Sequence, residues 1–325
     1  MKPVVPFVRQ VELGPHDALV DRLRDALPEL DIVVHADVSP ADLATARVAI
    51  VDGPGADQLL TMANLELVQS TWAGVEAIIP AVPSGVHIAR MIDPQLGWTM
   101  AEAVLAWTLY LHRDMPRYAH QQRAHQWVEH VPVSADSRRI GVLGLGALGA
   151  LAATTLRDQR FDVAGWSRSP KAIDGVMCLD GDAGIGQLLE RCDIVINLLP
   201  HTDATAGLLD AEAFARMPAG ASLINFGRGQ TVVDDDLLGA LDMHLEHAVL
   251  DVFTIEPLPD EHPYWNHPRV TVLPHISGPT STDTAAVIAA ANVRQFLADG
   301  TLPTAAIVDR TRGYQCPMWK RLPGL

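Results

Sequence analysis

A glycine-rich segment of the form G-x-G-x-x-G near the middle of the chain constrains the fold more than any other feature. It follows a predicted strand at 139–143 and opens a predicted amphipathic helix at 147–157. A dinucleotide-binding loop requires this order, because its glycines permit a tight turn, a close approach to a pyrophosphate and close packing of helix on strand. A purely structural turn is the alternative. The predicted cofactor contacts of the loop are Gly144, Gly146, Ala147, Leu148 and Gly149.

The residues after the second predicted strand of this region, at 161–166, indicate which dinucleotide the loop would hold. An NAD site usually places Asp or Glu about 20 residues after the loop, to bind the ribose 2′-hydroxyl. Here Ser167, Arg168 and Ser169 follow the strand, and no acid lies between residues 163 and 172. A cationic turn with two hydroxyls suits a 2′-phosphate, so we predict NADP(H), with NAD as the weaker alternative. A basic surface turn without a ligand would give the same pattern.

Length and periodicity predict an α/β protein of two domains. The 325 residues exceed the roughly 150 of one typical domain, and strand-like runs alternate with helical segments. We predict two doubly wound parallel-sheet domains, Rossmann-like or flavodoxin-like, with a nucleotide domain at 101–284 inserted into an outer domain of residues 1–100 and 285–325. The segment at 100–113 is apolar almost all round, which predicts a buried helix.

The remaining elements follow from short apolar runs between turn residues. Predicted strands lie at 4–8, 31–35, 48–51 and 65–70 in the outer domain, and at 193–198, 221–226, 248–252 and 270–273 in the nucleotide domain. Further helices are predicted at 16–26, 56–62 and 281–298, and one after Pro116.

Charge and cysteine content exclude several function classes. Lys and Arg number 24 against 39 Asp and Glu, which gives a net charge of −15. Such a surface repels nucleic acid and anionic lipid, so we predict neither as a partner. We identify no signal peptide and no membrane span of about 20 apolar residues. Three scattered cysteines, Cys178, Cys192 and Cys316, favour a reducing cytoplasm, and no metal-site spacing is present.

Three ionisable residues fall at or just after the ends of predicted strands, the edge at which open α/β sheets bind ligands. Arg228 lies between two glycines in N-F-G-R-G-Q, Glu256 begins E-P-L-P, and His275 follows Pro274. Singly, they could be a strand-end charge, a pre-proline turn residue and a loop histidine. Together, downstream of a dinucleotide loop, they make a coherent catalytic set.

With these motifs the chain resembles the D-2-hydroxyacid dehydrogenases over nearly its whole length. The resemblance also rests on S-T-W-A-G-V at 70–75, N-L-L-P at 197–200 with Thr205, D-V-F at 251–253, W-N-H-P at 265–268 and D-R-T-R-G-Y at 309–314. Within that family the chain is similar to the bacterial, NADPH-preferring glyoxylate/hydroxypyruvate reductases. The resemblance implies that a hydride from nicotinamide C4 adds to the keto carbon of a 2-oxoacid, and that the product is the D isomer.

The resemblance assigns catalytic roles to the three ionisable residues. His275 would donate a proton to the developing alkoxide; a free histidine titrates near pH 6.5, close to working pH. Glu256 would favour the protonated imidazole and hold its orientation. Arg228 would bind the substrate carboxylate and keto oxygen.

The resemblance also implies contacts with substrate and cofactor. The backbone N–H groups of Gly74 and Val75 would bind the second carboxylate oxygen, and Trp72 would either wall the pocket or belong to the core. Asp251 would hold the nicotinamide amide. The other cofactor neighbours expected beyond the glycine loop are Ser167, Arg168, Ser169, Leu199, Pro200, Thr205 and His275.

Relatives of this kind dimerise through the helical region that contains Trp127, so we expect a homodimer. One alternative function is the reduction of larger 2-oxoacids. Another, from a different class, is a dinucleotide-sensing protein like the corepressors that share the fold. Oxidation of phosphite or formate is disfavoured. Gly227 stands where relatives often have Ala, which we expect to be harmless, and residues 315–325 match no motif.

Overall fold

The computed structural model describes residues 2–9, 17–53 and 57–310. The chain divides into two compact units, Met1–Leu96 with Thr280–Leu325, and Gly97–Pro279. The crossings fall four and five residues before the predicted boundaries at 100/101 and 284/285. Part of the D-R-T-R-G-Y motif and residues 315–325 lie outside the described residues.

The first unit contains a five-stranded parallel sheet. Its elements are β1 (Val4–Arg9), α1 (Asp17–Ala26), β2 (Asp31–Val34), α2 (Pro40–Thr45), β3 (Val48–Asp52), β4 (Leu67–Ser70) and β5 (His87–Ala89). The strand order β2-β1-β3-β4-β5 is the flavodoxin-like order. The predicted helix at 56–62 is instead a short 3₁₀ helix, Asp57–Thr61.

The second unit contains a seven-stranded sheet, also parallel throughout. Its elements are α3 (Pro94–His112), α4 (Met115–Arg123), β6 (Arg139–Leu143), α5 (Ala147–Asp158), β7 (Asp162–Ser167), β8 (Met177–Asp180), α6 (Gly181–Arg191), β9 (Ile194–Asn197), α7 (Ala211–Arg216), β10 (Ser222–Asn225), α8 (Asp234–Met243), β11 (His247–Leu250) and β12 (Val270–Val272). The order β12-β11-β10-β9-β6-β7-β8 is a Rossmann order extended by one strand, and it reverses between β6 and β9. The predicted fold class is therefore confirmed.

The final helix, α9 (Thr282–Asp299), belongs to the first unit, where Ala286, Ala290 and Val293 pack into the core with β1. Gly300 ends it in the left-handed conformation at φ 75°, as its predicted C-cap role requires. The second crossing precedes the predicted one because the segment leading into α9 already belongs to the first unit. The first chain crossing also comes before its predicted position, because α3 begins at Pro94 rather than near residue 100.

The prediction that α3 is buried all round was wrong. Met100, Val104 and Leu111 pack into the core of the second unit. The opposite face is open, and it carries Trp98, which is 56% exposed, and Leu109. Only one face of the helix packs on the sheet. Burial within this chain therefore accounts for the apolar residues of that face and not for those of the exposed face. Within the described residues, no helix is long and apolar enough to cross a membrane.

Candidate active site

The three predicted catalytic residues lie at one edge of the second unit's sheet. β10, β11 and β12 are parallel neighbours, and the segments that follow them carry Arg228, Glu256 and His275 respectively. β6, which precedes the glycine loop, ends at the same edge because every strand of the sheet runs in the same direction. This is the carboxyl edge, where open α/β sheets bind ligands.

Glu256 and His275 form a hydrogen-bonded pair. Nδ1 of His275 donates to Oε2 of Glu256 at 2.8 Å, and the Phe253 backbone N–H donates to Oε1 at 2.8 Å. Burial alone would raise the pKa of the Glu256 carboxyl, but these two hydrogen bonds and the positive charges of His275 and Arg228 hold that pKa below its usual value. Glu256 therefore stays ionised at neutral pH and fixes the imidazole with its second nitrogen, Nε2, available for proton transfer.

The backbone of His275 adopts a conformation that is rare outside glycine. Its φ is 54°, in the left-handed region. The N–H groups of Ile276 and Ser277 donate to the two carboxylate oxygens of Asp251 at 2.8 and 2.9 Å, and Asp251 is only 2% exposed. These buried, charge-assisted bonds hold the turn, as local backbone strain requires. Asp251, predicted to contact nicotinamide, thus has a positioning role that the sequence did not reveal.

Arg228 lies just beyond β10, and its positive charge acts on Glu256 in the segment after β11. Nη1 of Arg228 donates to the Gly227 carbonyl at 2.7 Å, and the guanidinium helps to lower the pKa of Glu256. A Cβ at Gly229 would collide with the Phe253 backbone, so only glycine fits there. The close approach brings the segment that carries Arg228 against the one that carries Glu256.

The glycine loop has the features that a pyrophosphate site needs. Gly144 adopts φ 100°, and its N–H and that of Leu145 donate to the Trp166 carbonyl at 2.8 and 3.1 Å. A Cβ at Gly149 would collide with the Gly144 carbonyl, whereas one at Gly146 would meet open space. The first N–H groups of α5 have no acceptor within the helix and carry its partial positive charge. The loop therefore fits a dinucleotide phosphate.

The turn predicted to bind a 2′-phosphate follows β7. Arg168 and Ser169 are exposed, and Ser167 is buried. The Ser167 hydroxyl donates to the Ser169 carbonyl at 2.8 Å, so it shapes the turn. Arg168 is then the predicted residue best suited to a phosphate.

The segment after β9 holds the other predicted cofactor neighbours, Leu199, Pro200 and Thr205. The Thr205 hydroxyl donates to the Pro200 carbonyl at 2.6 Å and accepts from the Thr202 N–H at 2.8 Å. Thr205 therefore fixes the shape of this segment, which follows the central strand β9 at the edge that also carries the glycine loop.

The predicted substrate residues of the first unit follow β4. The Trp72 indole N–H and the Thr71 hydroxyl both donate to Oδ1 of Asp52, at 3.0 and 2.6 Å, and Asp52 is 5% exposed. The side chain of Val75 is buried in that unit's core. Within residues 2–9, 17–53 and 57–310, the backbone N–H groups of Gly74 and Val75 have no hydrogen-bond acceptor. Trp72 is held by Asp52, a residue that sequence reasoning missed.

Comparison with known proteins decides the family. The model of the D-isomer specific 2-hydroxyacid dehydrogenase NAD-binding domain matches residues 105–277. The glyoxylate/hydroxypyruvate reductase A of Serratia proteamaculans is 39% identical over 283 residues, which cover 85% of this chain and 90% of that protein. The chain belongs to the D-isomer specific 2-hydroxyacid dehydrogenase family. It is thus an NAD(P)-dependent oxidoreductase, and its second unit contains the NAD-binding domain.

Solved dehydrogenases of this family share the architecture. One from Xanthobacter autotrophicus Py2, in complex with NADPH and MES, is 36% identical with a TM-score of 0.88, over 95% of this chain and 99% of that one. The NADPH-dependent glyoxylate/hydroxypyruvate reductase of Sinorhizobium meliloti, in complex with NADP and sulfate, is 32% identical with a TM-score of 0.86, over 95% of this chain and 100% of that one.

Sequence reasoning missed a set of buried polar side chains in this dehydrogenase. Asn197 and Asn225 are the last residues of β9 and β10, and both are at most 1% exposed, as is Thr231. One signal was available: an amide at the end of an otherwise apolar strand needs hydrogen-bond partners once it is buried. Within the described residues, no group of three or more His, Cys, Asp or Glu side chains could hold a metal ion.

Proposed function

We propose that this dehydrogenase reduces small 2-oxoacids with NADPH, converting glyoxylate to glycolate and hydroxypyruvate to D-glycerate. The hydrogen bond between Glu256 and His275, at the sheet edge that also carries Arg228 and the glycine loop, is the observation that carries the proposal. The names of the Serratia and Sinorhizobium relatives support this substrate class.

When bound, NADPH supplies the hydride that adds to the keto carbon. Charge then develops on the keto oxygen, and His275 neutralises it by proton donation from Nε2. Glu256 remains ionised because its pKa is lowered, so it stabilises the imidazolium before transfer and keeps the ring in one orientation afterwards. In the reverse direction the neutral imidazole accepts the proton from the hydroxyacid.

Substrate anchoring falls to one cation and two amides. Arg228 binds the carboxylate and the keto oxygen, and the N–H groups of Gly74 and Val75 bind the carboxylate as well. Trp72 shapes the pocket from the position that Asp52 gives it. A chain of net charge −15 needs such local donors to hold an anion.

The preference for NADPH rests on the turn after β7. Arg168 provides an exposed cation, and no acid lies between residues 163 and 172 to repel a 2′-phosphate or to bind a 2′-hydroxyl. The glycine loop and the residues Leu199, Pro200, Thr205, Asp251 and His275 complete the proposed cofactor site.

A panel of initial rates tests the function. Glyoxylate, hydroxypyruvate, pyruvate and phenylpyruvate are each assayed with NADPH and with NADH. We expect the highest kcat/KM for the two smallest polar acids with NADPH. Arg168→Ala should raise the KM for NADPH and leave that for NADH unchanged. A higher kcat/KM with NADH would contradict the cofactor preference, and a preference for phenylpyruvate would favour the larger-substrate alternative.

A dinucleotide-sensing protein is the alternative from a different class. It would bind NADPH, yet consume none with any of the four acids. The paired Glu256 and His275 favour the enzyme, because a sensor has no use for a proton donor held in a single orientation.

We further propose a homodimer built on an apolar surface of the second unit, which we term the arm surface. Its exposed members are Trp98, Leu109, Met115, Tyr118, Trp127, Val128, Val131 and Val133. The His130 N–H donates to the Tyr118 hydroxyl, so the segment with Trp127 and Val131 packs beside α4. A second copy of the chain would cover these side chains. A cytoplasmic location is also proposed, in keeping with the free thiols of Cys178 and Cys192.

A further inference from the structure

Asn197 at the end of β9, Asn225 at the end of β10 and Thr231 in the segment after β10 form a buried network that contacts the backbone of Arg228. Nδ2 of Asn197 donates to Oδ1 of Asn225 at 2.9 Å and to Oγ1 of Thr231 at 2.7 Å. The Thr231 hydroxyl in turn donates to the Arg228 carbonyl at 2.6 Å. All three side chains are at most 1% exposed, so every one of these bonds is shielded from water.

The Arg228 carbonyl is the point where the network converges. Besides the Thr231 hydroxyl, it accepts from the Thr231 backbone N–H at 3.3 Å and from Nδ2 of Asn225 at 3.3 Å. A carbonyl held by three donors in a dry environment has little freedom, because breaking any of these bonds leaves a buried donor hydrogen without its acceptor.

The same network ties Arg228 to the segment after β9. Asn197 Oδ1 accepts the Leu199 N–H at 3.1 Å, and Asn225 Oδ1 accepts the Gly227 N–H at 3.2 Å. A Cβ at Gly227 would lie 2.6 Å from the Leu199 carbonyl oxygen. Gly227, expected to be a harmless departure, therefore permits an approach that Ala would prevent in this chain, and the two segments are fixed against each other.

We propose that Thr231 is a positioning residue for Arg228: its hydroxyl fixes the backbone from which the guanidinium is aimed at the substrate carboxylate. Thr231 itself touches no substrate. The inference rests on the proposed role of Arg228 in binding a 2-oxoacid. An arginine side chain has several free torsions, so the position of its guanidinium depends on a fixed backbone. A displacement of a substrate-binding group by about 1 Å is enough to lower the rate about a hundredfold.

The test compares two substitutions of Thr231, each of which removes one of the two groups on its Cβ. Thr231→Val keeps the shape and removes the hydroxyl, whereas Thr231→Ser keeps the hydroxyl and removes the methyl. We expect Thr231→Val to lower kcat/KM for glyoxylate about tenfold or more, mainly through KM, and to weaken inhibition by oxalate, a carboxylate that is not reduced, to a similar extent. Thr231→Ser should stay within about threefold of the wild-type enzyme in both measurements.

One further measurement, the affinity for NADPH, separates positioning from a structural role. The Kd for NADPH, measured by fluorescence titration, should change by less than about twofold in both variants, because both keep Asn197, whose Oδ1 accepts the N–H of the proposed cofactor residue Leu199. If Thr231→Val does not fold, Thr231→Ala removes the hydroxyl without adding a methyl in its place and carries the same expectation.

The outcomes are distinct from those of the proposed function. A wild-type enzyme that reduces no 2-oxoacid defeats the proposed function. A wild-type enzyme that is active, with a hydroxyl-free variant of unchanged kcat/KM and unchanged oxalate inhibition, overturns the positioning role alone. The positioning role is also overturned if Thr231→Ser is impaired as strongly as Thr231→Val, or if NADPH binding weakens as much as kcat/KM falls.

Discussion

At His275 one ring nitrogen is used by Glu256, so only Nε2 remains to serve a substrate. If this nitrogen donates the proton, His275→Ala should lower kcat by about 10²–10⁴ with glyoxylate and NADPH at saturation. Removal of the ring leaves the developing alkoxide to be protonated by water, without an oriented donor. His87→Ala, at an exposed position on β5, is the matched control and should retain wild-type turnover. Near-normal turnover in the His275 variant would remove it from the proton-donor role.

At Arg228 the expected deficit lies in substrate binding. Arg228→Ala should lower kcat/KM for glyoxylate by more than tenfold, because a desolvated contact between guanidinium and carboxylate is worth several kcal/mol. Arg228→Lys keeps the charge but loses the planar two-donor geometry, so it should recover only part of that loss. Steady-state kinetics at saturating NADPH measure kcat/KM for both variants. A loss below tenfold in the Ala variant would argue that another group binds the carboxylate.

The candidate site was predictable to the extent that it depends on chain order. Arg228, Glu256 and His275 were identified because each follows a strand of one parallel sheet, so sequence position alone places them at one edge. The hydrogen bonds that fix them were not predictable. Asp251 binds two N–H groups some 25 residues later in the chain, and only the folded arrangement of β11 and β12 brings these groups together.

At the level of elements, every interior strand of the two sheets was predicted, and two of the four edge strands were missed. β6 begins and ends where predicted, and α4 has Pro116 in its first turn, where its missing N–H costs nothing. β5 and β8 escaped prediction because their sequences, H-I-A and M-C-L-D, contain no run of β-branched residues, whereas the equally short edge strands β2 and β12, D-I-V-V and V-T-V, do. Their conformation comes from pairing with β4 and β7 rather than from a local pattern.

A buried histidine in β11 makes stability depend on pH. Burial, with the neighbouring charges of His267 and Arg269, lowers the pKa of His247 to about 4, although Glu246 opposes the shift. Between about pH 6.5 and that value, the unfolded chain binds a proton that the folded chain excludes. The free energy of unfolding should therefore fall on acidification through this range by up to about 1.4 kcal/mol per pH unit, and it should be insensitive to His247 above it.

Denaturant unfolding between about pH 7 and pH 5 measures this slope. His247→Gln is the matched variant, because an amide can still bond the Thr271 hydroxyl that His247 contacts at 2.9 Å, yet it does not titrate. Even if the variant is more or less stable than the wild type at neutral pH, its free energy of unfolding should vary less with pH than that of the wild type. Parallel curves would mean that His247 does not contribute to the pH dependence.

On the scale of the whole molecule, the proposed dimer would cover the apolar residues that α3 leaves exposed, because they belong to the arm surface. Trp127 is 93% exposed and Val131 is 90% exposed. Burying such side chains against a second copy is favourable by about 25 cal/mol for each Å² removed from water. The double variant Trp127→Asp/Val131→Asp should therefore convert the proposed dimer to a monomer, because charged groups buried in an apolar contact are strongly unfavourable.

Sedimentation velocity at micromolar concentration measures the change. Met243→Asp is the control, since this side chain, at the end of α8, is 78% exposed and lies outside the arm surface, so the variant should remain dimeric. The circular dichroism of the double variant should match the wild type, because neither Trp127 nor Val131 packs into a core of the described residues. A wild-type protein that sediments as a monomer, or a double variant that sediments as a dimer, would show that copies of the chain do not associate through this surface.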